Sequence, residues 1–303
     1  METDIYDVII IGGGPAGLSA AMVLGRCCRK VVVYDGGKTR NRFSNHMNGY
    51  LTRDGISPQE FIELSRKELD KYGIKLIFEE AVKIKKKENY FEVWIEDGSY
   101  NRSRKIILAT GVKDKIPSIP GLDKLYGVSV HHCPICDGWQ YRGKSFGVTG
   151  PAGGCINLSL QLLQWSNDIT VFTSDYIDYS DEKVKLLMQH NIKIVRGKIK
   201  NLAGEAKLDY ILMENEEKIK CDTLFFATGY EAASQLFTDI GCRTTESGEI
   251  YVNNRQESNV EGVYIAGDAC KDMKLVIISA AEGAKAAVTI NKKLTEEDLG
   301  VEL

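Results

Sequence analysis

The chain has 303 residues, enough for about two domains, and its 43% hydrophobic and 27% charged residues are typical of a folded globular protein. Because 39 basic and 42 acidic residues leave a net charge of −3, electrostatics give no reason to expect a nucleic-acid or membrane partner. Residues 8–25 carry no charge, but they contain three consecutive glycines and a proline and follow two aspartates. That pattern disfavours a membrane span and a signal peptide, so we expect a cytoplasmic protein.

The first predicted unit has the pattern of a dinucleotide site. Ile5–Ile11 is a largely β-branched run typical of a buried parallel strand. The glycines of Gly12–Gly17 fit G-x-G-x-x-G, in which the first makes a tight turn, the second admits a pyrophosphate and the third lets a helix approach the strand. We expect a helix over Leu18–Gly25, with the phosphates at its start, and a strand over Val31–Tyr34. Asp35 ends this strand and is placed to bond a ribose hydroxyl.

The next stretch contains a polar loop, a helix and several strands. Two interpretations of the loop, residues 36–54, stay open: it is a solvated surface loop, or Arg42 and His46 approach the cofactor. A serine, a proline and a glutamate at residues 57–60 predict a helix start, and Gly73 predicts its end. The predicted strands are Lys75–Phe78, Val82–Lys85, Tyr90–Ile95 and Arg104–Ala109.

A second unit with the same plan follows a proline-containing linker at residues 117–121. Its predicted elements are a strand at Lys144–Thr149, a small-residue loop at Gly150–Gly154, a helix at Cys155–Trp165 and a strand at Ile169–Thr173. Each unit leads to Ala-Thr-Gly, at residues 109–111 and 227–229, so we interpret the halves as a duplicated nucleotide-binding fold. Beyond them we expect a strand ending at Asp268 and a helix over residues 275–293.

Among eight cysteines, only Cys133 and Cys136 have a motif spacing. In a chain without a secretion signal, C-x-x-C favours a redox or metal site over a structural disulfide. His131 and His132 precede the pair, but adjacent side chains on an extended chain point to opposite sides, and no second ligand cluster follows. We therefore predict a redox dithiol and no metal, and expect the other six cysteines to be small buried hydrophobic residues.

Over essentially its whole length the sequence resembles the low-molecular-weight thioredoxin reductase family. The resemblance rests on five segments in the family's order: Gly12–Gly17, Ala109–Gly111, Cys133–Gly138, Ala227–Gly229 and Gly262–Asp268. It implies an α/β fold of two Rossmann-like, three-layer ββα nucleotide-binding domains, the second inserted into the first. A discontinuous FAD domain would cover residues 1–113 and 246–303, and a pyridine-nucleotide-type domain carrying the CxxC would cover 114–245. It also implies a homodimer whose domains rotate to expose the dithiol.

The resemblance further implies residue roles. Cys136 would face the flavin, and Cys133 would attack an external disulfide. Asp137 would be the acid/base for the leaving thiolate, with an N-cap as the alternative; we also expect His132 to support the dithiol electrostatically. Asp268 would bond the ribityl chain, and the start of the last helix would lie near the flavin N1/O2 edge. The expected cofactor-binding residues are Gly12, Gly14, Pro15, Ala16, Gly17, Asp35, Gly36, Arg42, His46, Val82, Ala109, Thr110, Gly111, Gly267, Asp268, Leu275 and Val276.

The second glycine loop departs from the family. Ala152 replaces the glycine that admits a pyrophosphate, and no cation occurs between Thr173 and Lys183, where NADPH-using members carry histidine and arginines. We expect FAD as cofactor, NADPH to be doubtful, and a ferredoxin-type or other donor, with a thioredoxin-like protein or a small disulfide or dithiol as substrate. Three alternatives stay open: an NAD(P)H-dependent thioredoxin reductase with Asp175 on the ribose of NADH, a flavin dithiol oxidase using oxygen, and a flavin-bound redox sensor.

Overall fold

The protein is described from a computed structural model that covers residues 5–246, 248–270 and 273–302. The first of two compact units comprises the chain up to Arg40, Gln59–Lys113 and the chain from Glu231 onward. The second comprises Asn41–Pro58 and Asp114–Tyr230. Among the helices of the described ranges, none is both long enough and apolar enough to span a membrane.

Strands and helices alternate through much of the chain. In chain order the strands are β1 Tyr6–Ile11, β2 Val31–Tyr34, β3 Lys75–Ile77, β4 Ala81–Lys86, β5 Phe91–Ile95, β6 Tyr100–Leu108, β7 Val112–Asp114, β8 Val130–His131, β9 Phe146–Thr149, β10 Ile169–Thr173, β11 Lys193–Arg196, β12 Ile199–Ala203, β13 Tyr210–Met213, β14 Lys218–Lys220, β15 Thr223–Phe226, β16 Tyr230–Ala232 and β17 Val263–Ile265. The α-helices are α1 Pro15–Arg26, α2 Pro58–Leu69, α3 Leu122–Leu125, α4 Pro134–Asp137, α5 Ala152–Leu162, α6 Glu182–Gln189, α7 Leu236–Asp239 and α8 Val276–Leu299.

The first unit is built on a sheet of order β3-β2-β1-β6-β5-β4, with β17 also paired to β6. The strands β3, β2, β1, β6 and β17 run parallel, whereas β4 and β5 form an antiparallel ribbon against β6. Successive β1 side chains enter opposite cores: Ile9 and Ile11 lie in one, and Val8 and Ile10 in the core that α1 and α8 complete. This two-sided burial explains the continuous apolar run in the sequence.

The second unit repeats the arrangement. Its parallel sheet has the order β11-β10-β9-β15-β8, and β12, β13 and β14 form a separate antiparallel ribbon. In both units a glycine with positive φ follows the central strand, Gly12 at +112° and Gly150 at +137°. Each packs on the backbone of the alanine in the Ala-Thr-Gly segment of its unit, Ala109 or Ala227. The predicted α/β class with two Rossmann-like domains is confirmed.

The divisions between the units differ from the expected ones. The chain returns to the first unit at Glu231, before the expected residue 246, because Leu236 and Phe237 of α7 are buried in the first unit's core. Asn41–Pro58 groups with the second unit, where the Phe43 ring lies 5.4 Å from that of Tyr126.

Most helix positions agree with the sequence analysis, with shifted ends. The last helix begins at Val276 and extends to Leu299, beyond the expected residue 293. The expectation that six cysteines are buried is wrong for Cys27 and Cys28, which are exposed at the end of α1. The remaining four are buried: Cys155, Cys221, Cys242 and Cys270.

Candidate active site

The two motif cysteines lie at the start of a helical turn. Cys133 is the N-cap of α4 in an extended conformation, and Pro134 occupies the first helical position, where its fixed φ suits a helix. One turn brings the Cα atoms of Cys133 and Cys136 to 5.3 Å, and the two sulfurs are disulfide-bonded. The Cys136 amide donates to Cys133 Sγ at 3.2 Å. That N–H is placed to stabilise a thiolate on Cys133 once the disulfide opens.

Asn48 is a neighbour of the dithiol that the sequence analysis did not identify. Its side-chain amide donates to the Cys136 carbonyl at 2.8 Å. The two residues are far apart in the chain, so no local pattern indicates the contact. Asn48 thus ties the Asn41–Pro58 segment to the α4 turn within the second unit.

Asp137 follows Cys136 directly and has an unusual environment. Its side chain is 17% exposed, and this burial raises its carboxyl pKa from 3.8 to about 7. A carboxyl group with that pKa is about half protonated at neutral pH, so it can both donate and accept a proton there. The expected acid/base assignment for Asp137 remains a prediction that this environment suits.

His131 is the second residue that sequence reasoning missed. Its side chain is 5% exposed, and its Nδ1 lies 3.5 Å from Asp137 Oδ1. Burial, and then the neighbouring His132, lower the pKa of His131 to about 4, so the imidazole is neutral at pH 7. The rings of Tyr141 and Phe225 hold it, at centroid distances of 5.4 Å and 5.6 Å. His131 is therefore a fixed, uncharged neighbour of the Asp137 carboxyl.

His132 points to the other side of the chain. Its Nδ1 lies 3.3 Å from the Tyr126 hydroxyl, and its Nε2 lies 3.7 Å from Asp114 Oδ2. The Tyr126 hydroxyl itself donates to Asp114 at 3.2 Å. The expected electrostatic support of the dithiol by His132 remains a prediction. Within the described ranges, no group of three or more His, Cys, Asp or Glu side chains is arranged to hold a metal ion.

The first glycine loop offers space for a phosphate. A Cβ at Gly12 would overlap the Ala109 carbonyl, and one at Gly17 would overlap the Gly12 carbonyl, so these glycines allow close packing of strand and helix. At Gly14 a Cβ would meet only the Thr39 methyl group, 4.0 Å away. Gly14 is also the N-cap of α1, which has no side-chain cap. Open space at the amides of a helix start fits the pyrophosphate of FAD.

A buried carboxylate, Asp35, and a partly buried one, Asp268, flank this loop. Asp35 is 4% exposed, and its Oδ2 accepts a hydrogen bond from Arg66 Nη2 at 2.5 Å. Asp268 follows β17; its Oδ2 pairs with Arg40 Nη1 at 3.0 Å, and its Oδ1 accepts from the Ser279 hydroxyl at 2.8 Å. Both acids were expected in the cofactor site, whereas their arginine partners were not. The arginines offset the negative charge that the acids would present to a phosphate.

The other expected cofactor residues divide between the units. Leu275 is the N-cap of α8, Val276 is its first residue, and Val82 lies 44% exposed on β4. Arg42 and His46 belong instead to the second unit, where the Arg42 guanidinium lies 4.2 Å from the Phe43 ring centroid. The expected cofactor-binding residues that lie in the first unit are Gly12, Gly14, Pro15, Ala16, Gly17, Asp35, Gly36, Val82, Ala109, Thr110, Gly111, Gly267, Asp268, Leu275 and Val276.

Duplicated nucleotide-binding folds together with a C-x-x-C at a helix start define a dinucleotide-dependent disulfide oxidoreductase. Residues 6–283 match the pyridine nucleotide-disulphide oxidoreductase family. The chain belongs to the low-molecular-weight thioredoxin reductases of this family, and it is an FAD-dependent disulfide oxidoreductase.

Similarity to individual proteins extends over nearly the whole chain. Thioredoxin reductase tcpT of Claviceps purpurea is 33% identical over 88% of this chain and 87% of its own. The 34.2 kDa protein in the rubredoxin operon of Clostridium pasteurianum is 29% identical over 96% of this chain and 98% of its own. The crystal structure of HlmI superposes with a TM-score of 0.94 at 31% identity, covering 98% of this chain and 94% of HlmI.

Proposed function

We propose that the enzyme passes two electrons between bound FAD and the Cys133–Cys136 pair, and on to the disulfide of a thioredoxin-like protein or a small molecule, using a donor other than NADPH. The observation that carries this proposal is the helix-start dithiol directly followed by a carboxyl group whose pKa burial raises to about 7. A thiolate nucleophile and a proton source at neutral pH are the two groups that thiol–disulfide exchange requires.

We assign FAD to the first unit. The open face of Gly14 and the free start of α1 accept the pyrophosphate, and Asp35 accepts hydrogen bonds from the ribose. Asp268 is held by Arg40 and Ser279 at the position assigned to the ribityl chain. When bound, FAD supplies a two-electron exchange with the dithiol. The glycine-loop pattern indicates the roles of Gly14 and Asp35, and the family resemblance implies the role of Asp268.

The exchange steps use the two cysteines in fixed roles. In the reduced enzyme the Cys133 thiolate attacks the disulfide of the substrate, which forms a mixed disulfide and releases one substrate thiolate. The Cys136 thiolate then attacks Cys133 Sγ, which restores the internal disulfide and releases the second substrate thiolate. Asp137 donates a proton to a leaving thiolate, because its carboxyl group is protonated in about half of the molecules near pH 7.

Exposed apolar side chains beside the dithiol support a protein as one substrate. Ile135, between the two cysteines, is 63% exposed, and Trp139, one turn later, is 61% exposed. The Arg142 guanidinium stacks on the Trp139 ring at 3.9 Å. Aromatic and arginine side chains are enriched at protein interfaces. Relatives named as thioredoxin reductases make a thioredoxin-like protein the first substrate to test.

The donor assignment rests on the second glycine loop. Between Thr173 and Lys183 the chain has no cation that could bind the 2′-phosphate of NADPH. Lys183 Nζ is hydrogen-bonded to Asn157 Oδ1 at 2.8 Å. A relative encoded in a rubredoxin operon supports a small iron–sulfur-type electron carrier as the donor.

Anaerobic reduction followed by a turnover assay tests this function. NADPH or NADH is added to the oxidised enzyme while the flavin absorbance is recorded, and the same enzyme is then supplied with a reduced ferredoxin-type carrier and oxidised thioredoxin. We expect little bleaching with NADPH, and catalytic release of thioredoxin thiols with the carrier, abolished in Cys136→Ser. Rapid bleaching at micromolar NADPH would refute the donor assignment. Peroxide formation from small dithiols in air would favour the oxidase, and absence of turnover with every donor would favour the redox sensor.

A further inference from the structure

The start of α5, in the second unit, is occupied by a carboxylate of the protein itself. The backbone N–H of Ala152, the first residue of α5, donates to Asp175 Oδ2 at 2.9 Å. Thr173 fixes this contact from both ends, since its hydroxyl donates to the Gly150 carbonyl at 3.3 Å and accepts from the Asp175 amide at 3.2 Å. The Asp175 side chain, two residues beyond β10, is thereby held across the glycine loop.

The first unit shows the same loop without such an occupant. Gly12 and Gly150 adopt matching positive φ angles and pack on equivalent alanines, so the loops correspond position by position. At Gly14, the counterpart of Ala152, the helix start faces open space. The second loop is also open at Gly153, because a Cβ there would meet no atom within 4 Å. Two features therefore distinguish the second loop from the first: the Cβ of Ala152, and a negative charge on the first amide of the helix.

No lysine or arginine of the described ranges forms an ion pair with Asp175. Lys183 is bonded to Asn157, and the Arg196 guanidinium lies 6.0 Å and 5.8 Å from the ring centroids of Tyr176 and Tyr179. Asp178 adds a second carboxylate to the same loop, where it accepts from the Ser180 amide at 2.9 Å. Helix-start amides bind phosphates because they are unpaired and electropositive, and here one amide is paired and its charge is neutralised.

We propose that Asp175 determines donor specificity by occupying the phosphate position of the second glycine loop and repelling the phosphates of a pyridine dinucleotide. This inference rests on the proposed use of a donor other than NADPH, and it names the residue responsible. Because the charge of Asp175 acts in addition to the Cβ of Ala152, removing that charge alone should weaken the exclusion without abolishing it.

Calorimetric binding of NADP⁺ and NAD⁺ to the FAD-loaded, oxidised enzyme tests the proposal without turnover. Asp175→Asn removes the charge but keeps an acceptor for the Ala152 amide, so α5 stays capped. Asp175→Ala removes both, and Asp178→Asn removes a charge from the same loop without touching α5. We expect Kd for NADP⁺ to fall about fivefold to tenfold in both Asp175 variants, and to change less than about twofold in Asp178→Asn.

Two results would overturn the assignment of Asp175. One is an unchanged Kd for NADP⁺ in both Asp175 variants. The other is weaker NAD⁺ binding in both, which would make Asp175 a ribose acceptor. The proposed donor is judged separately: if wild-type enzyme is bleached by micromolar NADPH, that proposal fails whatever the variants do. If wild type is not bleached and the variants gain no affinity, the donor proposal stands and the role of Asp175 does not.

Discussion

Replacing Asp137 by asparagine tests the acid/base assignment and the burial of the carboxyl group at once. The pKa of Asp137 is raised from 3.8 to about 7, so about half of the folded molecules carry the acid form at pH 7. An unshifted aspartate would be protonated in fewer than about 0.1% of molecules at that pH. If Asp137 supplies the proton, Asp137→Asn should lower kcat for disulfide reduction by about 10²–10⁴-fold.

The same substitution has a consequence for stability with a defined sign. Since the pKa is higher in the folded than in the unfolded protein, the folded state binds more protons between pH 3.8 and about 7, and stability falls as pH rises through that window. Asparagine cannot ionise, so Asp137→Asn should match wild type at pH 4 and exceed it at pH 8. The gain at pH 8 is bounded by about 4 kcal/mol, the free energy of a shift of about three pKa units.

Both effects are measurable on FAD-loaded protein. Turnover is followed as thiol release from oxidised thioredoxin, and stability as the denaturant midpoint at pH 4, 6 and 8. Asp123→Asn, an exposed carboxylate in the same unit, is the control and should alter neither quantity. The reasoning fails if Asp137→Asn keeps kcat within about threefold of wild type, or if its stability relative to wild type does not depend on pH.

Three further substitutions probe the neighbours of the two sites. Gly14→Ala places a methyl group in the pyrophosphate space and should raise Kd for FAD at least about tenfold by fluorescence titration, whereas Gly153→Ala in the second loop should not. His131→Phe removes the imidazole beside Asp137 and should shift the pH profile of kcat, with partial recovery in His131→Asn; an unmoved profile would contradict this contact. Asn48→Ala leaves the Cys136 carbonyl without its donor and should lower the free energy of unfolding by about 1 kcal/mol, and a neutral effect would contradict it.

Local patterns in the sequence predicted the duplicated fold because each half carries its own signals. The β-branched β1, the glycine loop and the helix start are contiguous, so their conformations depend on neighbouring residues. The return of the chain at Glu231 could not be predicted, because it depends on where Leu236 and Phe237 are buried rather than on any local break.

The sequence did not predict which residues, distant in the chain, contact the site residues. Arg66 and Arg40 pair with Asp35 and Asp268 across 31 and 228 residues, and no spacing rule links such positions. The two histidines show a subtler limit. Alternation on an extended chain predicted that they face opposite sides, but not which one lies beside Asp137.

An anaerobic dithionite titration measures most directly whether FAD and the dithiol exchange electrons. Wild-type enzyme should take up about four electrons per FAD, two for the flavin and two for the disulfide, with the flavin bleaching only after a lag or along a shared curve. The Cys133→Ser/Cys136→Ser variant should take up about two and bleach from the first addition. Identical titration curves for the two proteins would contradict the account.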